Sequence, residues 1–138
     1  MTTLNPYISF HQNAREAMTF YQSALGGELR IDTFENYDMG LPPNEKHLVM
    51  HAQLETPDGL TLMGADTPSH MPYAAPAGIS VSVSGDDEAR LESIWNALAA
   101  TGTITVPFET PPWGGRFGML TDAFGIGWMV ALNATATA

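Results

Sequence analysis

Two stretches, NAREAMTFYQSALGG at residues 13–27 and DDEARLESIWNALAATG at residues 86–102, decide the fold. The first reads as a helix. Asn13 stands where a cap is needed, and Glu16 follows three residues later, as in a capping box. Ala17, Met18, Tyr21, Ala24 and Leu25 fall on one apolar face. Gly26 and Gly27 end the helix, because glycine takes the left-handed conformation at a helix C-terminus without steric cost. The second stretch repeats the plan, with Asp86 or Asp87 as cap, Leu91, Ile94, Trp95 and Leu98 as the buried stripe and Gly102 as terminator. The two superpose at an offset of about 74 residues, which sets Tyr21 on Trp95 and Ala24 on Leu98.

Outward from each helix the same order of strands appears. The first is preceded by LNPYISF and followed by ELRIDTFENY, KHLVMHAQLE and LTLMGAD. In KHLVMHAQLE, Leu48, Met50, Ala52 and Leu54 share a face. Between the last two strands, TPDG carries proline second and glycine fourth and predicts a hairpin turn. LPPNE is a loop, since consecutive prolines cannot continue a central strand. TPSHMPYAAPA, residues 67–77, reads as a linker. The second helix is preceded by GISVSVSG, which alternates cleanly, and followed by TITVPFE, RFGMLTD and GWMVAL.

The expected fold is therefore α+β: two βαβββ modules whose curved mixed sheets surround a cleft. The chain is one domain, 1–138, with module one at 4–66, the linker at 67–77 and module two at 78–133. A module of about 65 residues buries too little surface to be stable alone, so the two are expected to share a core.

Composition narrows the function. Charged residues make up 14% of the chain and hydrophobic residues 44%, enough apolar surface to rule out a disordered chain. A net charge of −10 repels phosphate backbones and excludes nucleic acid as a natural partner. The same field favours cationic ligands, or serves only solubility. With no cysteine, disulfides, thiolate catalysis and Cys-ligated metals are excluded. No apolar run approaches the roughly 18 residues of a membrane span. MTTLNPYISF lacks the basic start and apolar run of a secretory signal, so a cytoplasmic location is expected.

The segments NPYISF…NAREAMTFYQSALGGEL, HLVMHAQL and PPWGGRFGMLTDAFGIGWM, together with the second helix ending LAATG, resemble the glyoxalase/bleomycin-resistance/dioxygenase superfamily, the vicinal oxygen chelate proteins. Within it the chain looks most similar to the PhnB-like group, also labelled 3-demethylubiquinone methyltransferase-like. The resemblance implies paired βαβββ modules, a homodimer and clefts formed by curved sheets. It also implies four positions for metal ligands, one early in the first strand of each module and one in each last strand. Counted onto this chain, the first-strand positions fall on Pro6 and Gly78, which have no donor side chain. The last strand of module one, residues 59–65, holds no carboxylate or imidazole, the nearest being Asp66 at its end. In the final strand the family's turn is matched by Asp122-Ala-Phe-Gly125, but its Glu position is Met129. A thioether is a poor ligand for Mg²⁺, Mn²⁺ or Fe²⁺. No metal in the usual site, and no cofactor, is therefore expected.

Other candidates are tied to the cleft. His51 is mid-strand beside Gln53 and reads either as a hydrogen-bonded strand histidine or as a ligand contact able to act as acid or base. It is the one candidate catalytic residue. His47 and His51, on one face of a strand, would be about 13 Å apart and too far to share a metal. PPWGGRF, 111–117, gives Trp113 as ligand wall or as cover for the core edge or a dimer seam, and Arg116 as an anion contact. Alternation places Pro6, Ile8 and Phe10, then Gly78, Ser80 and Ser82, on the cleft, with Ile79, Val81 and Val83 under the helix. The expected ligand-binding set is Phe10, His51, Ser80, Trp113, Arg116 and Met129. The expected function is metal-independent binding of a small organic molecule, cationic or aromatic, by a homodimer. The alternative is a lyase, isomerase or dioxygenase using an acid–base pair or an atypical metal site. No glycine-rich adenosylmethionine motif supports the methyltransferase label.

Overall fold

A computed structural model describes residues 2–134, which form two compact units that divide between Ala75 and Pro76. In the first, β1 (Tyr7–Phe10) leads to α1 (Ala14–Leu25), β2 (Glu28–Thr33), two short 3₁₀ turns (Phe34–Asn36 and Pro43–Glu45), β3 (Val49–Glu55) and β4 (Thr61–Asp66). The second contains β5 (Ser80–Gly85), α2 (Glu88–Ala99), β6 (Thr103–Glu109), β7 (Arg116–Thr121) and β8 (Gly127–Leu132). Each unit is a four-stranded mixed sheet, ordered β1-β4-β3-β2 and β5-β8-β7-β6. The first and last strands of each unit pair in parallel and the other neighbours antiparallel. The fold is α+β, with the βαβββ order expected from the sequence. No helix of the described residues is long and apolar enough to cross a membrane.

Each helix buries the stripe that its spacing predicted. Ala17, Met18, Tyr21, Ala24 and Leu25 of α1 are buried, as are Leu91, Ile94, Trp95 and Leu98 of α2. Tyr21 packs against Phe10 with ring centroids 6.5 Å apart, and Trp95 stacks on Phe108 at 5.4 Å. At two sheet positions only glycine fits. A Cβ on Gly118 would lie 2.8 Å from the Trp95 ring, and one on Gly64 would lie 2.8 Å from the Phe10 ring. A satellite cluster of Phe34, Leu41 and Leu48 fills the space below the 34–48 connection.

The helix starts differ from each other. Asp87 caps α2 by accepting the Arg90 N–H at 3.1 Å, whereas Asn13 makes no side-chain capping bond to α1. A distant residue replaces it. Asp66, at the end of β4 and only 7% exposed, accepts the Ala14 N–H through one oxygen and the Val49 N–H through the other, both at 2.9 Å. A carboxylate facing the exposed amides of a first helical turn also complements the helix dipole.

The hairpins β3–β4 and β7–β8 turn in the same way. In TPDG the Gly59 N–H donates to Thr56 O, the Thr56 N–H to Leu60 O, and the Leu60 N–H to Thr56 Oγ1, each at 3.0 Å. In DAFG the Gly125 N–H donates to Asp122 O, the Asp122 N–H to Ile126 O, and the Ile126 N–H to Asp122 Oδ1. Gly59 and Gly125 have φ of 90° and 84°, a region that favours glycine. The internal repeat therefore extends from the helices to the turns.

Candidate functional site

A sheet covered by a helix on one face leaves its other face to carry function. Alternation assigns every strand residue to one face or the other. In the first unit, Ile8, Phe10, Ala52, Leu54, Leu62 and Gly64 are buried on the α1 side. The opposite face carries Tyr7 of β1, Met63 of β4, His51, Gln53 and Glu55 of β3, and Arg30 and Asp32 of β2. Register aligns them: Tyr7 opposite Met63, Met63 opposite Gln53, Gln53 opposite Arg30, and His51 opposite Asp32.

These polar groups form a continuous row. Tyr7 Oη lies 3.0 Å from His51 Nδ1, with the two rings 5.5 Å apart. His51 Nε2 lies 3.1 Å from Gln53 Oε1, and Gln53 Nε2 donates to Glu55 Oε1 at 2.7 Å. Arg30 closes the row with an ion pair to Glu55 at 3.6 Å. Arg30, Ile31, Asp32, His51 and Gln53 line a depression of about 580 Å³ beside it. Partial burial raises the Tyr7 phenol above its ordinary value of 10.0, so it keeps its proton at neutral pH.

In the second unit, Trp128 and Val130 are buried toward α2, while Met129 and Ala131 face the other way, as alternation of the final strand predicts. Met129 stands opposite Met119 of β7 and Ser82 of β5, which makes an apolar strip flanked by hydroxyls. Ser80, at the start of β5, lies on this face opposite Gly127. Trp113 is 72% exposed in the β6–β7 connection, and its ring meets Phe117, also of this face, at 6.5 Å.

Several expected positions shift. Phe10 is not on the site face. It is 2% exposed under α1, because β1 sends its two apolar alternates, Ile8 and Phe10, to the core and turns Tyr7 outward. Arg116 is also on the helix side. Its guanidinium lies 4.1 Å from the Phe108 ring centroid, donates to Phe108 O at 3.1 Å and pairs with Glu92 of α2 at 3.4 Å. It lines a separate depression of about 750 Å³ with Asp86, Glu88 and Thr110, so an arginine expected to receive an anion is set among carboxylates. Ile79 precedes β5 and is 81% exposed rather than packed under α2. His47 lies in a turn before β3.

The residues present do not fit the family's metal. Pro6 and Gly78 fall outside the strands. The site-face residues of the parallel strand pairs are Tyr7 with Met63 and Ser9 with Ala65, and Ser80 with Gly127, Ser82 with Met129 and Ser84 with Ala131. None offers a carboxylate or imidazole, and Asp66 spends both oxygens on backbone amides. Among the described residues no three His, Asp or Glu side chains come together as a metal set. Sequence reasoning missed Tyr7, Gln53 and Arg30. Their signal was the in-phase polar alternation of Arg30 and Asp32 with His51, Gln53 and Glu55.

Comparison with known proteins places this geometry. A family model described as 3-demethylubiquinone-9 3-methyltransferase matches residues 2–131. Protein PA1353 of Pseudomonas aeruginosa is 35% identical and superposes with a TM-score of 0.83 over 98% of this chain and 100% of its own. The PhnB protein of Bacillus cereus is 25% identical, with a TM-score of 0.74 over 96% and 100%. A glyoxylase/bleomycin resistance protein/dioxygenase domain from Frankia sp. EAN1pec shares the fold at 17% identity, with a TM-score of 0.64 over 96% and 98%.

Proposed function

The chain belongs to the 3-demethylubiquinone-9 3-methyltransferase family and has the glyoxalase/bleomycin-resistance fold, and from that premise we propose that it binds a small organic molecule, cationic or aromatic, without a metal. The observation that carries this reading is the row Tyr7–His51–Gln53–Glu55–Arg30 beside a depression. Pockets of this kind combine a few placed polar groups with apolar walls. Here the row supplies the polar groups, and Met63, aligned with Tyr7 and Gln53, the apolar surface. The homodimer expected from the resemblance belongs to the same reading and is checked by light scattering.

Methyl transfer from adenosylmethionine, suggested by the family description, finds no support in the topology. Two four-stranded mixed sheets lack the doubly wound parallel sheet and glycine-rich turn of a Rossmann-type nucleotide site.

A thermal-shift screen of aromatic cations and matched anions, followed by calorimetry, tests the proposal. Binding of a cation weakened by His51→Ala supports it. A stoichiometric micromolar site for Mn²⁺, Ni²⁺ or Zn²⁺ overturns it.

A second reading, a lyase or isomerase, is favoured by one contact, the 3.0 Å approach of Tyr7 Oη to His51 Nδ1. A phenol held by an imidazole is a serviceable acid–base pair. Under this reading His51→Ala removes turnover and leaves the fold intact.

A further inference from the structure

With His51 neutral, the polar row has only one self-consistent arrangement of protons. At its end stands Glu55, an acceptor held by Arg30 at 3.6 Å. Gln53 approaches Glu55 Oε1 at 2.7 Å and must present its NH₂, since an amide oxygen there would face a carboxylate. The Gln53 oxygen then faces His51 Nε2 at 3.1 Å, so Nε2 carries the hydrogen. In the neutral ring Nδ1 is bare and accepts the Tyr7 hydroxyl at 3.0 Å. The one hydroxyl proton of Tyr7 is thus spent on the histidine, and its oxygen is left with lone pairs only. Asp32, aligned with His51 across β2 and β3, lines the depression, and its carboxylate has no hydrogen-bond or ionic partner among the described residues. Both of these groups are acceptors, and the Arg30 guanidinium, which also lines the depression, is drawn to Glu55 at 3.6 Å.

We propose that this face is a site for an organic ammonium or other cationic N–H donor, selected by the Tyr7 oxygen and the Asp32 carboxylate and refused to carboxylates of the same shape. The assignment rests on the small-molecule reading above and gives it a ligand class and a place. The chain's net charge of −10 acts in the same direction at long range. Selectivity has a built-in reversal. Protonating His51 makes both ring nitrogens donors, so the Tyr7 oxygen must accept from Nδ1 and its hydrogen turns outward. The groups facing His51 are Tyr7 from β1, Asp32 and Arg30 from β2 and, through Gln53, Glu55 of its own strand. The aligned positions of β4 hold Met63 and Ala65, which do not titrate. The raised Tyr7 phenol keeps its proton at neutral pH and below.

Two measurements test the inference on the full chain. Long-range ¹H–¹⁵N spectra report which nitrogen of His51 is protonated, with no ligand present. The expected form is Nε2–H, passing to a mixture of forms in Glu55→Gln. An Nδ1–H ring in the wild type overturns the proposal. Calorimetry then compares phenethylammonium with phenylpropionate on either side of the His51 titration followed in the same spectra. The ammonium should bind above it and weaken below it. Tyr7→Phe, at a half-exposed residue, should lose roughly tenfold in affinity, the effect of one hydrogen bond, together with the pH dependence. Preference for the carboxylate with neutral His51 overturns this inference alone. Binding of neither probe overturns both it and the small-molecule reading.

Discussion

Replacing Asp66 by asparagine keeps the shape of a buried side chain and removes one of its two acceptors. The native carboxylate accepts Ala14 N–H and Val49 N–H at 2.9 Å each. Asparagine satisfies one of these amides and turns its own NH₂ on the other, so a backbone N–H is stranded in the interior. A bond to a charged acceptor contributes roughly 1.5–3 kcal/mol, and an unsatisfied buried donor costs roughly 1–3 kcal/mol, so a loss of about 3 kcal/mol is expected. With a urea slope of about 1.5–2 kcal/mol/M, the unfolding midpoint falls by about 1.5–2 M at unchanged slope. Hydrogen exchange locates the damage: the Ala14 and Val49 amides lose protection first. EDTA or Mn²⁺ alters neither protein, because Asp66 is a structural carboxylate and not a ligand. A loss under about 1 kcal/mol, or a midpoint that responds to divalent metal, refutes the reasoning.

Glu45 accepts the Ser69 N–H at 2.8 Å and the Ser69 hydroxyl at 2.9 Å, which hold its carboxyl below the ordinary 4.5. Its contribution is present above that ordinary value and is lost as pH falls through the lower folded value. Glu45→Gln should therefore reduce stability at neutral pH and flatten the acid limb of a denaturation profile, while an unchanged profile refutes the latch. Arg116→Ala should cost about 1 kcal/mol in urea, through the Phe108 ring contact and the exposed Glu92 pair, and leave affinity for the cationic probe unchanged. Met129→Glu restores a carboxylate where the family has one, yet calorimetry should show no stoichiometric Mn²⁺ site, because the aligned residues Met119 and Ser82 supply no carboxylate or imidazole. A micromolar site in that variant would show the scaffold to be metal-competent.

The repeated order of helix and strands was legible because it rests on local periodicity. The 3.6-residue spacing of Ala17, Met18, Tyr21, Ala24 and Leu25, and of Leu91, Ile94, Trp95 and Leu98, survives unchanged in the buried helix faces. The turns TPDG and DAFG were legible because glycine and proline limit the backbone locally. Met129 was legible too, since alternation from the Gly125 turn fixes its face.

Tertiary structure decided the rest. Strand phase in β1 could not be read from four residues that include both a tyrosine and a phenylalanine. Contact with Tyr21 sent Phe10 inward and left Tyr7 to meet His51. Asn13 looked like the cap of α1, but Asp66, 52 residues away, holds the Ala14 amide. Arg116 looked like a ligand for anions until the fold set Phe108 and Glu92 beside it. The sequence by itself determined which segments become helix, strand and turn, because those preferences act over a few residues. Only packing determined which side chain meets which, because each such meeting joins strands whose register is set by the whole sheet.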